Sequence, residues 1–234
     1  MEPGPDAKAI VITGTTRGLG RALALELGRL GHRVSGCGRS TDAVDGLNRE
    51  AGGHQQHAVV NVTDPQSVAD WARKCLERDG PPDLLINNAG IINRHAPLWQ
   101  VPLEEFRALW EVNVIGVFNV CRAFVPAMVE RGTGVIVNMS TGAGVRGFAL
   151  IGPYCTTKHA VEGFTKSLAE ELPEGMASIP FQPGVVQTDM LRSHYGERAA
   201  DYPTPDRWAR VAAPYLLKLS SRESGQSLRL PVVN

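Results

Sequence analysis

Ala9-Ile10-Val11-Ile12-Thr13-Gly14-Thr15-Thr16-Arg17-Gly18-Leu19-Gly20 is the stretch that decides the fold. Its consecutive apolar residues, with no polar alternation, read as a strand buried on both faces. The glycine-rich run is a sharp turn. Leu19, Leu23, Leu27 and Leu30 then recur at helical spacing until Gly31 closes the helix. Outward from there the same alternation repeats. Val34-Ser35-Gly36-Cys37 and Ala58-Val59-Val60 read as strands, and Thr63-Asp64-Pro65 opens a helix with Val68, Trp71, Cys75 and Leu76 inward. Gly80-Pro81-Pro82 breaks that helix before a strand at Leu84-Leu85-Ile86. A long helix from Leu103 to Val129 carries Phe106, Trp110, Val114 and Val117, and Gly132 to Gly134 ends it before a fifth strand, Val135-Ile136-Val137. Another helix runs from Tyr154 to Leu172 and stops at Pro173-Glu174-Gly175. Thr204-Pro205 opens a last one with Trp208, Val211, Tyr215 and Leu219 inward. Apolar strands separated by helices, with no linker and no repeat, predict an α/β fold: a doubly wound parallel sheet with helices on both faces.

The 234 residues are 43% hydrophobic and 21% charged, which excludes a disordered chain. The 24 basic residues balance the 24 acidic ones, so no electrostatic footprint for nucleic acid is visible. Met1 to Lys8 has neither a basic start nor an apolar stretch and does not read as a signal peptide. The longest apolar runs are too short to span a bilayer, so no membrane partner is expected. Cys37, Cys75, Cys121 and Cys155 are scattered, without metal-ligand spacing. They are expected to be reduced, buried thiols of a cytoplasmic protein that binds no metal.

In the turn, Gly14, Gly18 and Gly20 let backbone N–H groups approach an anion at a helix N-terminus, with Thr16, Arg17 and Leu19 between them. Strand before and helix after make a dinucleotide pyrophosphate the expected ligand, and the chain a single Rossmann-type domain over 1–234. The cofactor-binding half is roughly 8–138 and the catalytic half 139–234. The spacing, Gly-x3-Gly-x-Gly, departs from the commoner Gly-x-Gly-x2-Gly; an adenosylmethionine-dependent methyltransferase would use a similar loop. At the end of the second strand a carboxylate would hold the ribose 2′-hydroxyl of NAD. Here Gly38 is followed by Arg39 and Ser40. Arg39 and Arg17 together suit a 2′-phosphate, so NADP(H) is the expected cofactor.

Tyr154-Cys155-Thr156-Thr157-Lys158 sets a phenol and an ammonium one helical turn apart, about 6 Å along the axis. A nearby ammonium favours phenolate and is expected to lower the phenol's pKa. Ser140, just after the fifth strand, can face the same cleft.

These residues resemble the short-chain dehydrogenase/reductase family over roughly Lys8 to Leu230. The match includes the turn, Asn87-Asn88-Ala89-Gly90, Asn113, Ser140, Tyr154 with Lys158, and Pro183-Gly184 followed by Thr188. The resemblance implies an NADPH-dependent carbonyl reductase, reversible as an alcohol dehydrogenase. In it Tyr154 exchanges a proton with the substrate oxygen and Lys158 binds the nicotinamide ribose. Ser140 polarises the carbonyl, and Asn113 holds a water that links Lys158 to solvent. Asn88, Ala89, Gly90, Asn61 and Val62 would lie on the adenosine side. Pro183, Gly184, Val186 and Thr188 would lie at the nicotinamide end. Ile92-Asn93, Trp99-Gln100-Val101-Pro102 and Pro205-Asp206-Arg207-Trp208-Ala209 are similar to the plant-type pterin aldehyde reductases and their bacterial relatives.

Some positions depart from the family's pattern. Asn61 replaces the usual Asp, Pro180 falls in the expected sixth strand, which should then be short or irregular, and the chain ends Pro231-Val232-Val233-Asn234 instead of Gly-Gly. The substrate pocket is expected from Asn93, Val145, Phe148, Met190, Leu191 and Tyr195, and the substrate is a small carbonyl or alcohol. A homodimer through the helices of Asn113 and Tyr154, or a homotetramer, is the expected assembly. The rival function is a non-catalytic NADP(H)-sensing protein of the same fold.

Overall fold

The computed structural model describes Gly4 and residues 6–231; the final three residues singled out above lie outside that range. Seven strands form one parallel sheet: β1 (Ala9–Thr13), β2 (Arg33–Gly38), β3 (Gln55–Val59), β4 (Leu84–Asn87), β5 (Gly134–Met139), β6 (Met176–Gln182) and β7 (Leu228–Arg229). Their order is β3-β2-β1-β4-β5-β6-β7. The helices between them are α1 (Gly18–Arg29), α2 (Thr41–Ala51), α3 (Pro65–Asp79), α4 (Leu103–Trp110), α5 (Gly116–Arg131), α6 (Gly152–Glu171), α7 (Asp189–Tyr195) and α8 (Pro205–Leu216).

Alternate strand residues serve opposite faces. Ile10, Ile12, Leu84, Ile86, Val135 and Val137 pack with α1 and α8, while Val11, Leu85 and Ile136 pack with α3, α5 and α6. Both faces are therefore dry, which is why the strands read as unbroken apolar runs. The order reverses direction between β1 and β4, and an open α/β sheet binds its ligands in the crevice at the strand C-termini beside such a switch.

Several elements differ from expectation. The third strand begins at Gln55, not Ala58; it is an edge strand paired only with β2, where Gln56 is exposed and Gln55 lies half-buried with its amide donating to Ala51 O. On α8 the buried residues are Trp208, Ala209, Ala212, Ala213 and Leu216, whereas Val211 is exposed. The alanines let α8 lie close against α1. The expected long helix is interrupted by a π turn, Glu111–Ile115, between α4 and α5. Together these segments make one 29-residue helix, Leu103–Arg131, long and apolar enough by length and composition to cross a membrane, contrary to the reading from shorter runs. Its Val117, Val120, Phe124 and Met128 are packed in the core.

Pro180 does not disturb β6, which at seven residues is the longest strand and stays in register with β5 through Asn138↔Pro180. The ladder explains this. Phe181 O accepts from Ser140 N–H on the β5 side (2.7 Å), while Ser178 O and Gln182 O accept from Gly225 and Leu230 on the other side. By that alternation the Pro180 nitrogen points toward β7, which pairs only with Phe181 and Gln182, so no ladder bond is lost.

Candidate active site

The turn after β1 is held from two sides. Thr13 Oγ1 accepts the N–H groups of Asn88 and Ala89 (3.0 Å each), and Asn88 Nδ2 donates to Thr13 O (2.8 Å) and Gly14 O (3.1 Å). The amide of Asn88 therefore fastens β4 to the turn. Gly20 is required by this closeness, since a Cβ there would strike Gly14 O and Asn88 Nδ2. Thr15 Oγ1 meets the buried His57 ring (3.0 Å), whose pKa burial lowers to about 4, so the imidazole is neutral beneath the turn.

A cleft of about 720 Å3 opens at the C-terminal ends of the strands. At one end it is lined by Gly14, Thr16, Arg17, Gly18, Leu19, Arg39, Ser40, Asn61 and Val62. Arg17 and Arg39 are exposed, and neither forms an ion pair with an acidic residue among the described residues. Ser40 caps α2, accepting from Ala43 N–H. Asn88, Ala89, Gly90, Pro183 and Thr188 line the middle, and Ser140, Tyr154, Lys158 and Met190 the far end. Gly184 and Val186 do not line it; Val186 packs into the core with α8. Trp208, fully buried, donates its Nε1–H to Pro183 O (2.9 Å) and so anchors the loop after β6.

Ser140 Oγ is buried without a hydrogen-bond partner. Gly144 accommodates it: a Cβ there would lie 2.5 Å from that oxygen and 3.0 Å from Lys158 O. An unpartnered buried hydroxyl costs about 1–3 kcal/mol, so a bound polar group at this point is favoured. Tyr154 is 7% exposed, packed with Leu109, Ala143 and Cys155, and Lys158 Nζ stands 5.7 Å from its ring centroid.

The expected lowering of the phenol pKa is not what the fold produces. Burial pushes Tyr154 well above the usual range and the neighbouring Cys155 adds to this, against a hydrogen bond from the Thr141 side chain. The same burial lowers Lys158 to about 8, although its Nζ donates to Met139 O at 2.7 Å. The unfolded lysine titrates near 10.5, so between pH 8 and 10.5 the unfolded chain binds more protons, and this group's contribution to stability rises with pH. Its burial penalty, on the order of 3 kcal/mol, stands in full below pH 8. Lys158→Met is therefore expected to melt above the wild type at pH 7, with the margin closing by pH 10. A margin independent of pH in thermal melts would contradict this.

Asn113 sits in the π turn and is fully buried. Its Oδ1 accepts Ile91 N–H (2.8 Å), and its Nδ2 donates to Ile91 O (2.9 Å) and Thr157 Oγ1 (3.0 Å). Both Nδ2 protons are thus engaged, and the side chain clamps the loop after β4 to α6. Of the six expected pocket residues, Met190 lines the cleft. Val145, Phe148 and Tyr195 are exposed, Leu191 is half-buried, and Asn93 is buried with its amide engaged. Sequence reasoning missed the polar ladder below the cleft. In it Asn87 Nδ2 donates to Asn138 Oδ1 (2.7 Å) and Asn138 Nδ2 to Thr165 Oγ1 (2.9 Å). Its signal was an asparagine immediately after each of two apolar runs, Leu84-Leu85-Ile86 and Val135-Ile136-Val137.

The short chain dehydrogenase profile matches residues 8–199. The protein belongs to that family. Within it, the chain is 43% identical over 224 residues to an NADPH-dependent pterin aldehyde reductase of Arabidopsis thaliana, covering 95% of this chain and 93% of that protein. It is 32% identical over 189 residues to the 3-oxoacyl-[acyl-carrier-protein] reductase of Escherichia coli (strain K12), covering 80% and 77%. Among solved members, an actinorhodin polyketide ketoreductase with NADPH superposes with a TM-score of 0.87 at 30% identity, over 98% of this chain and 97% of that one.

Proposed function

We propose that the protein is an NADPH-dependent carbonyl reductase that converts an aldehyde or ketone to its alcohol, reversibly. The observation that carries this reading is Ser140 Oγ, unpartnered among the described residues, in the same cleft wall as Tyr154 and Lys158, with two arginines elsewhere on the lining that have no acidic partner among those residues. The residues fit a phosphorylated dinucleotide. The turn N–H groups would hold its pyrophosphate, Arg17 and Arg39 its 2′-phosphate, and Lys158 its nicotinamide ribose. When bound, NADPH supplies the hydride.

The chain's own residues do the rest. Ser140 Oγ–H donates to the substrate oxygen and polarises the carbonyl. The buried Tyr154 phenol, kept protonated by its surroundings, transfers its proton to that oxygen as the C–H bond forms, leaving a phenolate. The Lys158 ammonium stabilises that phenolate, which regains a proton from solvent. Asn113 holds the floor against Ile91.

The relatives named above reduce carbonyls according to their names, and the pterin aldehyde reductase, similar over nearly the whole chain, favours a planar aromatic aldehyde. Four buried free thiols suit a reducing, cytoplasmic setting. The exposed Leu103, Ile115, Phe118 and Val129 along α4 and α5 suit a homodimer through these helices, or a homotetramer containing it.

The test is a panel of aldehydes and ketones, including pterin aldehydes and bulky aryl ketones, followed by loss of NADPH absorbance. Turnover of at least one aldehyde or ketone is expected. Tight NADPH binding with no turnover across the panel would favour the sensor instead.

A further inference from the structure

Leu150 has φ +67, the one non-glycine in the left-handed region among the described residues. Such a conformation persists only where neighbours fix it. Asn93 supplies the fixing. This side chain, 1% exposed, donates from Nδ2 to Leu150 O (3.0 Å) and Arg94 O (2.8 Å). Its Oδ1 accepts the backbone N–H of Tyr154 (3.3 Å), a first-turn donor of α6 with no acceptor inside the helix. Asn93 thus fixes both the loop entering α6 and the residue whose phenol faces the cleft.

The backbone of Asn93 is tied in turn to α7, the short helix that brings Met190 and Ser193 to the cleft wall. His194 Nε2 lies 3.1 Å from Asn93 O and its Nδ1 3.0 Å from Met190 O; each carbonyl only accepts, so the ring bridges the two and donates to Asn93 O whenever Nε2 carries a proton. Ser193 Oγ donates to Met190 O (2.8 Å) and lies 2.8 Å from His194 Nδ1, so ring, hydroxyl and carbonyl form one cluster on α7. The His95 ring packs edge-on against His194 at 4.3 Å. The contact therefore joins α7, which carries Met190 and Ser193 of the cleft lining, to the loop that sets Tyr154.

We propose that Asn93 is a positioning residue for Tyr154, and that His194 couples the seating of α7 over the substrate end of the cleft to that position. This rests on the reading of Tyr154 as proton donor. When α7 is seated, the Nε2–H···O bond holds the Asn93 loop, and Asn93 holds the first turn of α6. When α7 lifts, the loop loses that restraint and the phenol loses its fixed aim.

Steady-state kinetics with NADPH and a pterin aldehyde, or the panel's best aldehyde if that one is not turned over, tests the coupling. His194→Phe keeps a ring against His95 but removes the donor; it is expected to lower kcat/KM about tenfold through both a higher KM and a lower kcat. His194→Gln, which can donate to Asn93 O, restores most of it. Asn93→Ala lowers kcat at least as much with the NADPH Kd unchanged, and adding His194→Phe to it changes kcat by less than about twofold, because the two act in one chain. Wild-type kcat and KM in His194→Phe, or fully additive losses in the double variant, overturns the coupling. If Asn93→Ala does not fold, the Phe and Gln variants of His194 decide alone. Full turnover by Tyr154→Phe would overturn the proton-donor reading instead.

Discussion

Tyr154→Phe is expected to lower kcat for carbonyl reduction by ~10³, the range seen when a positioned general acid is removed, while NADPH binding stays within about twofold. The substitution deletes one oxygen and leaves the ring in its packing against Leu109, Ala143 and Cys155, so the cleft keeps its shape. Ser140 still polarises the substrate, but no proton meets the developing alkoxide. Burial makes the neutral phenol the resting form at pH 7. That suits a group which must give a proton in the reductive direction, and it makes the reverse oxidation depend on the Lys158 ammonium to stabilise phenolate. Kinetics with a fluorescence titration of NADPH separates the two effects; turnover within tenfold of wild type would remove Tyr154 from the mechanism.

Arg39→Ala is expected to weaken NADPH about tenfold, and the double Arg17→Ala/Arg39→Ala variant about a hundredfold, with NADH changed little, since each lost charge-assisted contact is worth roughly 1.5–3 kcal/mol before solvent screening. Both guanidiniums are exposed, so the effect should shrink as salt is raised. Titrations of both cofactors at low and high ionic strength check this. Equal losses for NADPH and NADH would refute phosphate pairing.

How far the sequence carried these conclusions differs from element to element. The strand, turn and helix of residues 9–29 were legible because an unbroken apolar run, clustered glycines and leucines at helical spacing all agree. α2 was missed because only Val44 and Leu47 of its eleven residues are buried, too few to show a period. The edge strand β3 was displaced because a strand paired on one side tolerates glutamines. Pro180 looked disruptive only because the sequence does not say which side of a strand its nitrogen faces. Tyr154, Lys158 and Ser140 were found as residue types, but not the burial that sets their protonation. Asn93 read as a pocket residue because its engaged partners, Leu150, Tyr154 and His194, lie 57, 61 and 101 positions away.

The two borders of the sheet have a consequence for the chain's behaviour at high concentration. An open sheet grows by accreting a foreign strand along an unpaired edge. One border here is five residues carrying Gln55, Gln56 and His57; the other is a two-residue strand followed closely by Pro231, which has no N–H to offer. Neither presents a long, flat, apolar template, and on the first border Asn48 of α2 already accepts the His57 N–H and donates to its carbonyl, so the fold resists fibre-like self-association.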